Sequence, residues 1–96
     1  ALVLDEPTNS LDIRAQREVR DAIRKLAHNG VTVIVVTHHL PDIIPEIGRV
    51  IALKSGQIFF DGKKEEILER TKMEALFGTP VDVAHSGGFY QMNLAD

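Results

Sequence analysis

The chain has 96 residues, 44% of them hydrophobic and 26% charged, a composition typical of a folded globular protein rather than a disordered one. Its 11 basic and 14 acidic residues give a formal net charge of −3, which offers no electrostatic reason to expect nucleic acid or an anionic membrane surface as a partner. The longest apolar runs, 31–36 and 47–53, are far shorter than the roughly 20 residues that a membrane helix needs. The lack of cysteine excludes disulfides and thiolate metal sites.

The first predicted element is a β-strand over residues 1–4, an unbroken apolar run of the kind that is buried on both faces of a parallel sheet. Because this run starts at Ala1 with no methionine before it, we expect the chain to be a piece of a larger domain. Pro7 ends the strand and is expected to restrict Glu6 to an extended conformation. Ser10 or Asp12 can then cap a helix.

The helix that follows is predicted from its apolar periodicity, and Asn29-Gly30 is a typical C-terminal stop. Its apolar side chains fall on one stripe: Ala15, Val19, Ala22, Ile23, Leu26 and Ala27. A second β-branched run over 31–36 predicts another strand. Strand, helix and strand joined by short links indicate a parallel βαβ unit, in which both strands end at the same edge of the sheet.

Pro41 and Pro45 bracket a short helix or turn. Downstream, segments 49–54 and 57–61 flank Ser55-Gly56, a two-residue turn signal that predicts a β-hairpin. The fold class is therefore α/β, with a βαβ core followed by a hairpin.

Two helices are predicted after the hairpin, over 63–70 and 71–77, the second stopped by Gly78. The tail from residue 81 is ambiguous, and a second hairpin around Gly87-Gly88 is one interpretation.

An acidic pair, Asp5 and Glu6, directly follows the first strand. Open α/β sheets bind ligands at the carboxyl ends of their strands. A divalent cation can neutralise one carboxylate while the other orients or deprotonates a water. A solvated acidic turn is the simpler alternative, and the pair alone does not decide between the two.

His38 ends the second strand, so we expect it beside the acidic pair. An imidazole there can hydrogen-bond a phosphate oxygen or an attacking water. His39 lies one step further round the turn, and His28 lies at a helix C-terminus, where a cationic side chain suits the helix dipole. We interpret both as structural.

Three segments of the chain resemble the sequence motifs of a known protein family. ALVLDEPTNSLD, residues 1–12, resembles the Walker B motif and D-loop of the ATP-binding-cassette (ABC) ATPases, and VVTHH, residues 35–39, resembles their H-loop. Segment 49–62 and the following residues 63–67 are similar to the strand pair and helix that close these domains in transporters. Three motifs in the right order are far more specific than any one of them. The resemblance implies a partial P-loop NTPase fold and places residues 1–96 in the C-terminal part of one ATPase domain. Within it, segment 1–62 would run from Walker B to the closing hairpin, and segment 63–96 would form a helical and tail segment.

The resemblance also implies roles in a site for Mg²⁺ and ATP. Asp5 would bind Mg²⁺ through water, Glu6 would be the catalytic base, and His38 would be the switch histidine that contacts the γ-phosphate. Three residues would form the D-loop that faces the partner subunit: Ser10, Leu11 and Asp12. The implied partners are the N-terminal half of the domain, a second nucleotide-binding subunit and transmembrane permease subunits, at the cytoplasmic side of a membrane.

The chain departs from the family pattern because it contains no G-x-x-x-x-G-K-[ST] phosphate loop, and the signature helix is also missing. Ser86-Gly87-Gly88 is similar to part of that signature, but it follows Walker B and is interpreted as a turn. We therefore expect no tight binding of ATP and no hydrolysis by this chain alone.

Two alternatives stay open on the sequence. In the first, the chain is a non-enzymatic remnant that forms homo-oligomers through the uncovered strands of a half-sheet. In the second, four side chains bind a transition metal directly: Asp5, Glu6, His38 and His39. The second is the weaker, since adjacent side chains on a strand point to opposite faces.

Overall fold

The computed structural model describes residues 1–95; residue 96, which belongs to the predicted 63–96 segment, lies outside the described residues. Strand β1 (Leu2–Asp5) and strand β2 (Val33–Val36) form a two-stranded parallel sheet. Leu2 pairs with Val33, and Asp5 pairs with Val36. The predicted parallel βαβ unit is confirmed.

Helix α1 (Ile13–His28) connects these strands. Its N-cap is Asp12, whose Oδ1 accepts a hydrogen bond from the Ala15 amide at 2.8 Å. Asn29 is the C-cap, and Gly30 has a φ of 85°, which explains why glycine follows the helix. Of the predicted apolar stripe, Ile23 is buried whereas Leu26 is 39% exposed.

The two β-branched runs are less buried than predicted. Each strand alternates between half-buried and exposed residues. The exposed face includes Val3, Ile34 and Val36, with exposures of 62%, 49% and 53%. The prediction that the first strand is buried on both faces is therefore wrong for this chain, because the described residues cover only one face of the sheet.

A short 3-10 helix, Leu40–Asp42, follows β2, with Pro41 inside it. Strand β3 (Arg49–Lys54) and strand β4 (Gln57–Lys63) then form an antiparallel hairpin. Its turn residues, Ser55 and Gly56, both have positive φ values, 52° and 75°, as a two-residue turn of this type requires. The predicted hairpin is confirmed, with β4 two residues longer than expected.

The helices after the hairpin are α2 (Lys64–Ile67) and α3 (Arg70–Phe77). The prediction of one helix over 63–70 is wrong at its end, because the Glu69 side chain accepts hydrogen bonds from the Thr71 and Lys72 amides and begins α3 instead. Gly78 ends α3 with a φ of 70°.

The tail forms a second antiparallel hairpin of β5 (Val81–Ser86) and β6 (Phe89–Leu94), joined at Gly87-Gly88. The turn interpretation of Ser86-Gly87-Gly88 is thus confirmed. This hairpin belongs to the buried core, which lies among the hairpins and α2–α3 rather than under the parallel sheet. The core cluster consists of Leu40, Ala52, Ile67, Leu68, Met73, Val81 and Tyr90.

Within residues 1–95, none of the helices combines the length and the apolar character that crossing a membrane requires. The division of the chain at residues 62 and 63 stays a prediction.

Candidate functional site

The parallel register of β1 and β2 brings the ends of both strands to one edge of the sheet. Asp5 is paired with Val36, and the amide of Glu6 extends the ladder by donating to the Val36 carbonyl at 2.7 Å. His38 follows two residues later in the chain. The acidic pair and His38 therefore lie at the same end of the sheet.

Glu6 and His38 are in direct contact. The Glu6 Oε1 atom accepts a hydrogen bond from the His38 backbone amide at 3.0 Å and lies 3.0 Å from the ring Nδ1 of the same residue. The hydrogen bond between the two residues therefore runs from the His38 backbone amide, and the imidazole ring lies within ion-pair distance of the same carboxylate oxygen. The Glu6 side chain is 26% exposed, whereas that of His38 is 80% exposed, so the histidine faces outward from the pair.

The backbone at Glu6 is unusual. Its φ is +50°, so the expectation of an extended residue before Pro7 is wrong. A non-glycine residue in the left-handed region costs roughly 1–2 kcal/mol. The turn is closed by the Asn9 amide, which donates to the Glu6 carbonyl at 3.1 Å. Strain of this kind concentrates at functional sites.

Asp5 lies on the exposed face of the parallel sheet, the same face as Val3, Ile34 and Val36. Among the described residues, no group of three or more histidine, aspartate or glutamate side chains is arranged to bind a metal ion. The alternative of four converging transition-metal ligands therefore finds no support. A single exposed carboxylate does fit Mg²⁺, which keeps several waters and typically takes one or two protein carboxylates together with phosphate oxygens.

The residues predicted to form the D-loop lie further along the same turn. Ser10 has a φ of 65° and is exposed, and Asp12 caps α1. Within residues 1–95, neither side chain hydrogen-bonds to the Glu6–His38 pair. The structure thus places them beside the candidate site, at the start of the helix, but not in contact with its two main side chains.

Two further histidines, His28 and His39, have local partners. The amide of His39 donates to the Thr37 hydroxyl at 3.0 Å, and His28 Nε2 lies 2.8 Å from Glu46 Oε2. Arg24 Nε also donates to Glu46, at 2.9 and 3.1 Å. Hydrogen bonds from Arg24, then from the Glu46 backbone and His28, outweigh the effect of burial and lower the pKa of the Glu46 carboxyl.

Sequence reasoning missed a buried network behind the site. The Asp42 carboxylate, 2% exposed, accepts hydrogen bonds from the hydroxyls of Thr8 and Thr37 and from Arg20 Nε. The distances are 2.8 and 3.0 Å from Thr8, 3.0 Å from Thr37 and 3.2 Å from Arg20. One sequence signal could have pointed to it: Asp42 is a carboxylate in the otherwise apolar, proline-bracketed segment LPDIIP, and an ionised group there needs buried partners.

Comparison with known proteins places the chain in a family. Residues 1–44 match the family model described as "AAA domain, putative AbiEii toxin, Type IV TA system". The ABC transporter ATP-binding protein YlmA of Bacillus subtilis, named as uncharacterized, is 36% identical over 84 residues, which cover 85% of this chain and 32% of that protein. The hemin import ATP-binding protein HmuV of Photobacterium damselae subsp. damselae is 37% identical over 95 residues, covering 98% of this chain and 36% of that protein.

The chain belongs to the ABC ATPases. A solved structure described as "an inward-facing conformation of a putative metal-chelate type ABC transporter" covers 98% of the chain with a TM-score of 0.78 and 24% identity, so the fold of this ABC ATPase segment is the α/β fold of that structure. The segment covers 39% of that solved chain and about a third of the two curated relatives. The match corresponds to the C-terminal part of the nucleotide-binding domain.

Proposed function

We propose that the chain is the part of an ABC-transporter ATP-binding subunit that supplies Asp5 for Mg²⁺, Glu6 as the catalytic base and His38 as the γ-phosphate contact. The observation that carries this proposal is the 3.0 Å contact between Glu6 and His38 at the end of a parallel strand pair. This is the edge at which open α/β sheets bind ligands.

The contact gives each group a defined task. It occupies Oε1 of Glu6, so the proposed base is Oε2, which would take a proton from the attacking water. The ring Nδ1 of His38 faces this carboxylate at 3.0 Å, so the other ring nitrogen, Nε2, is the one proposed to meet a phosphate oxygen. Mg²⁺ bound at Asp5 would neutralise phosphate charge, and ATP would contribute the remaining ligands.

This chain supplies only part of the machinery. A phosphate loop positions the β- and γ-phosphates in P-loop enzymes, and no such motif occurs in the 96 residues. We therefore propose that hydrolysis needs the N-terminal half of the domain and a second nucleotide-binding subunit, with permease subunits coupling it to transport at the cytoplasmic side of a membrane. The chain alone is proposed to bind ATP no better than millimolar, about −4 kcal/mol or weaker.

The test is Glu6→Gln in the complete ATPase. Because glutamine has nearly the same shape but cannot accept the proton, we expect kcat to fall by about 10²–10⁴-fold while ATP binding is retained. Glu18→Gln is the matched control, since Glu18 lies on the exposed surface of α1 with a side chain that is 67% exposed. Turnover in Glu6→Gln equal to that in Glu18→Gln would reject Glu6 as the base.

A second candidate function rests on the exposed face of the parallel sheet. Val3, Ile34 and Val36 give this face an apolar character, and no further strand of residues 1–95 pairs with either edge of this two-stranded sheet. A non-enzymatic remnant could use this face to form homo-oligomers. Catalytic loss in Glu6→Gln favours the ATPase. Self-association of the isolated chain through this face, with no ATP turnover when the N-terminal half is supplied, favours the remnant.

A further inference from the structure

We propose that Asp42 is a positioning residue that fixes the separation between Glu6 and His38. That this positioning serves catalysis rests on the proposed ATPase function, whereas the hydrogen bonds to Asp42 do not depend on it. Asp42 touches neither Glu6 nor His38 through a hydrogen bond in the described residues. It acts instead through the segments that carry them.

The hydrogen-bond donors to Asp42 come from both sides of the site. Thr8 is two residues after Glu6 in the same turn, and its hydroxyl lies 2.8 and 3.0 Å from the two carboxylate oxygens. Thr37 directly precedes His38 and donates to Oδ2 at 3.0 Å. A single buried carboxylate therefore connects the strand end that bears the proposed base to the strand end that bears the histidine.

The backbone of Asp42 extends this connection. Its amide donates to the carbonyl of His39 at 3.0 Å. His38 is thus bracketed by two contacts to the same residue, one through Thr37 and one through His39. The turn that carries the histidine cannot shift relative to Asp42 without breaking at least one of them.

Burial makes the loss of any hydrogen bond to Asp42 energetically costly. Asp42 is 2% exposed and Thr8 is 3% exposed, so water cannot replace a lost partner cheaply. Arg20 supplies the compensating charge from α1 at 3.2 Å and is itself mostly buried, with a side chain 16% exposed. A fully partnered buried carboxylate is a rigid anchor, because every alternative position leaves a polar group unsatisfied.

The experiment is amide hydrogen exchange measured by NMR on the isotopically labelled complete ATPase subunit without nucleotide. In Asp42→Asn, which keeps the side-chain shape but loses the charge and one acceptor oxygen, we expect the His38 amide to exchange about tenfold faster, as its bond to Glu6 loosens. Glu46→Gln is the matched control, because Glu46 is also a paired carboxylate but contacts Arg24 and His28 rather than Thr8 and Thr37. It should leave the His38 amide unchanged.

Thr8→Val covers the possibility that Asp42→Asn does not fold. It removes a hydroxyl whose partner is the Asp42 carboxylate and leaves Thr37 and Arg20 in place, and it should also accelerate exchange at His38. Unchanged exchange in the folded variants, or equal acceleration in Glu46→Gln, would overturn the proposal. Because no nucleotide is present, this result is independent of whether Glu6→Gln abolishes ATP hydrolysis in the complete protein.

Discussion

Glu46 is a residue through which pH acts on this fold. The Arg24 guanidinium, 2.9 Å from Oε1, holds the pKa of the Glu46 carboxyl below its ordinary value of 4.5. A depressed pKa means that the ionised form stabilises the folded state above the unfolded pKa and that this contribution is lost as pH falls through the folded value. Glu46→Gln should therefore be less stable than the parent chain at pH 7, and the difference should shrink as pH falls below 4.5.

Urea unfolding at pH 7 and at pH 3.5 measures this effect. Asp61→Asn is the control: the Arg49 guanidinium also lowers the pKa of Asp61, but that pair is exposed, with side chains 70% and 38% accessible. Solvent screens such a pair, so we expect the same direction and a smaller change. A difference between Glu46→Gln and the parent chain that grows toward acid pH would contradict the assigned sign.

At the same scale, the sequence predicts some site residues and not others. Glu6 and His38 are predictable because each ends an apolar run, and parallel pairing brings such ends together. Asp42 is not, because its role depends on Thr8, which is 34 positions away. No local pattern encodes that separation. The left-handed backbone at Glu6 is likewise invisible in the sequence, since the following proline favours the opposite expectation.

At the scale of elements, helix α1 depends on its N-cap. Asp12 accepts the hydrogen bond of the Ala15 amide at 2.8 Å, one of the first-turn amides that have no partner within the helix. Asp12→Ala should lower the free energy of unfolding by about 1 kcal/mol, whereas Asp12→Asn should leave it nearly unchanged because asparagine caps equally well.

Denaturant unfolding of these two variants separates the structural part of Asp12 from its proposed place in the D-loop. In the complete ATPase, Asp12→Asn keeps the cap and removes the charge, so any loss of turnover there reports on the D-loop. Equal destabilisation by alanine and asparagine would show that the capping bond does not stabilise α1.

The strength of a local signal explains which elements were predicted correctly. The β3–β4 hairpin was predictable because two-residue hairpin turns favour positive φ values, which Ser55 and Gly56 both adopt. The predicted boundary between the two helices, at residues 70 and 71, lies after the observed break at Leu68 and Glu69, because segment 63–70 has no proline or glycine to mark that break. The Glu69 side chain is the N-cap of a new helix there, because it accepts a hydrogen bond from the Lys72 amide. This cap depends on the local backbone geometry, which the amino-acid composition of the segment does not reveal.

At the scale of the whole molecule, the sequence indicates two buried strands but not where the core lies. The buried cluster unites residues of the hairpins and of α2–α3, such as Ala52, Met73 and Tyr90. The parallel sheet has α1 against one face, whereas its other face is exposed. Burial on both faces requires partner surfaces that this segment, about a third of the length of its relatives, does not contribute.

That exposed face leads to a prediction about assembly. Val3 and Ile34 are directly paired across β1 and β2, and Val36 continues the apolar row beside them. Because the two strands also present open edges, we expect the isolated chain to form dimers or larger oligomers at high concentration, measured by gel filtration with light scattering.

Ile34→Lys should shift the chain toward monomer, since a charge in this row opposes pairing with another copy. Ile13→Lys is the control, because Ile13 is 86% exposed but lies on α1. A parent chain that is monomeric throughout, or equal dissociation by both variants, would show that the parallel sheet does not mediate assembly.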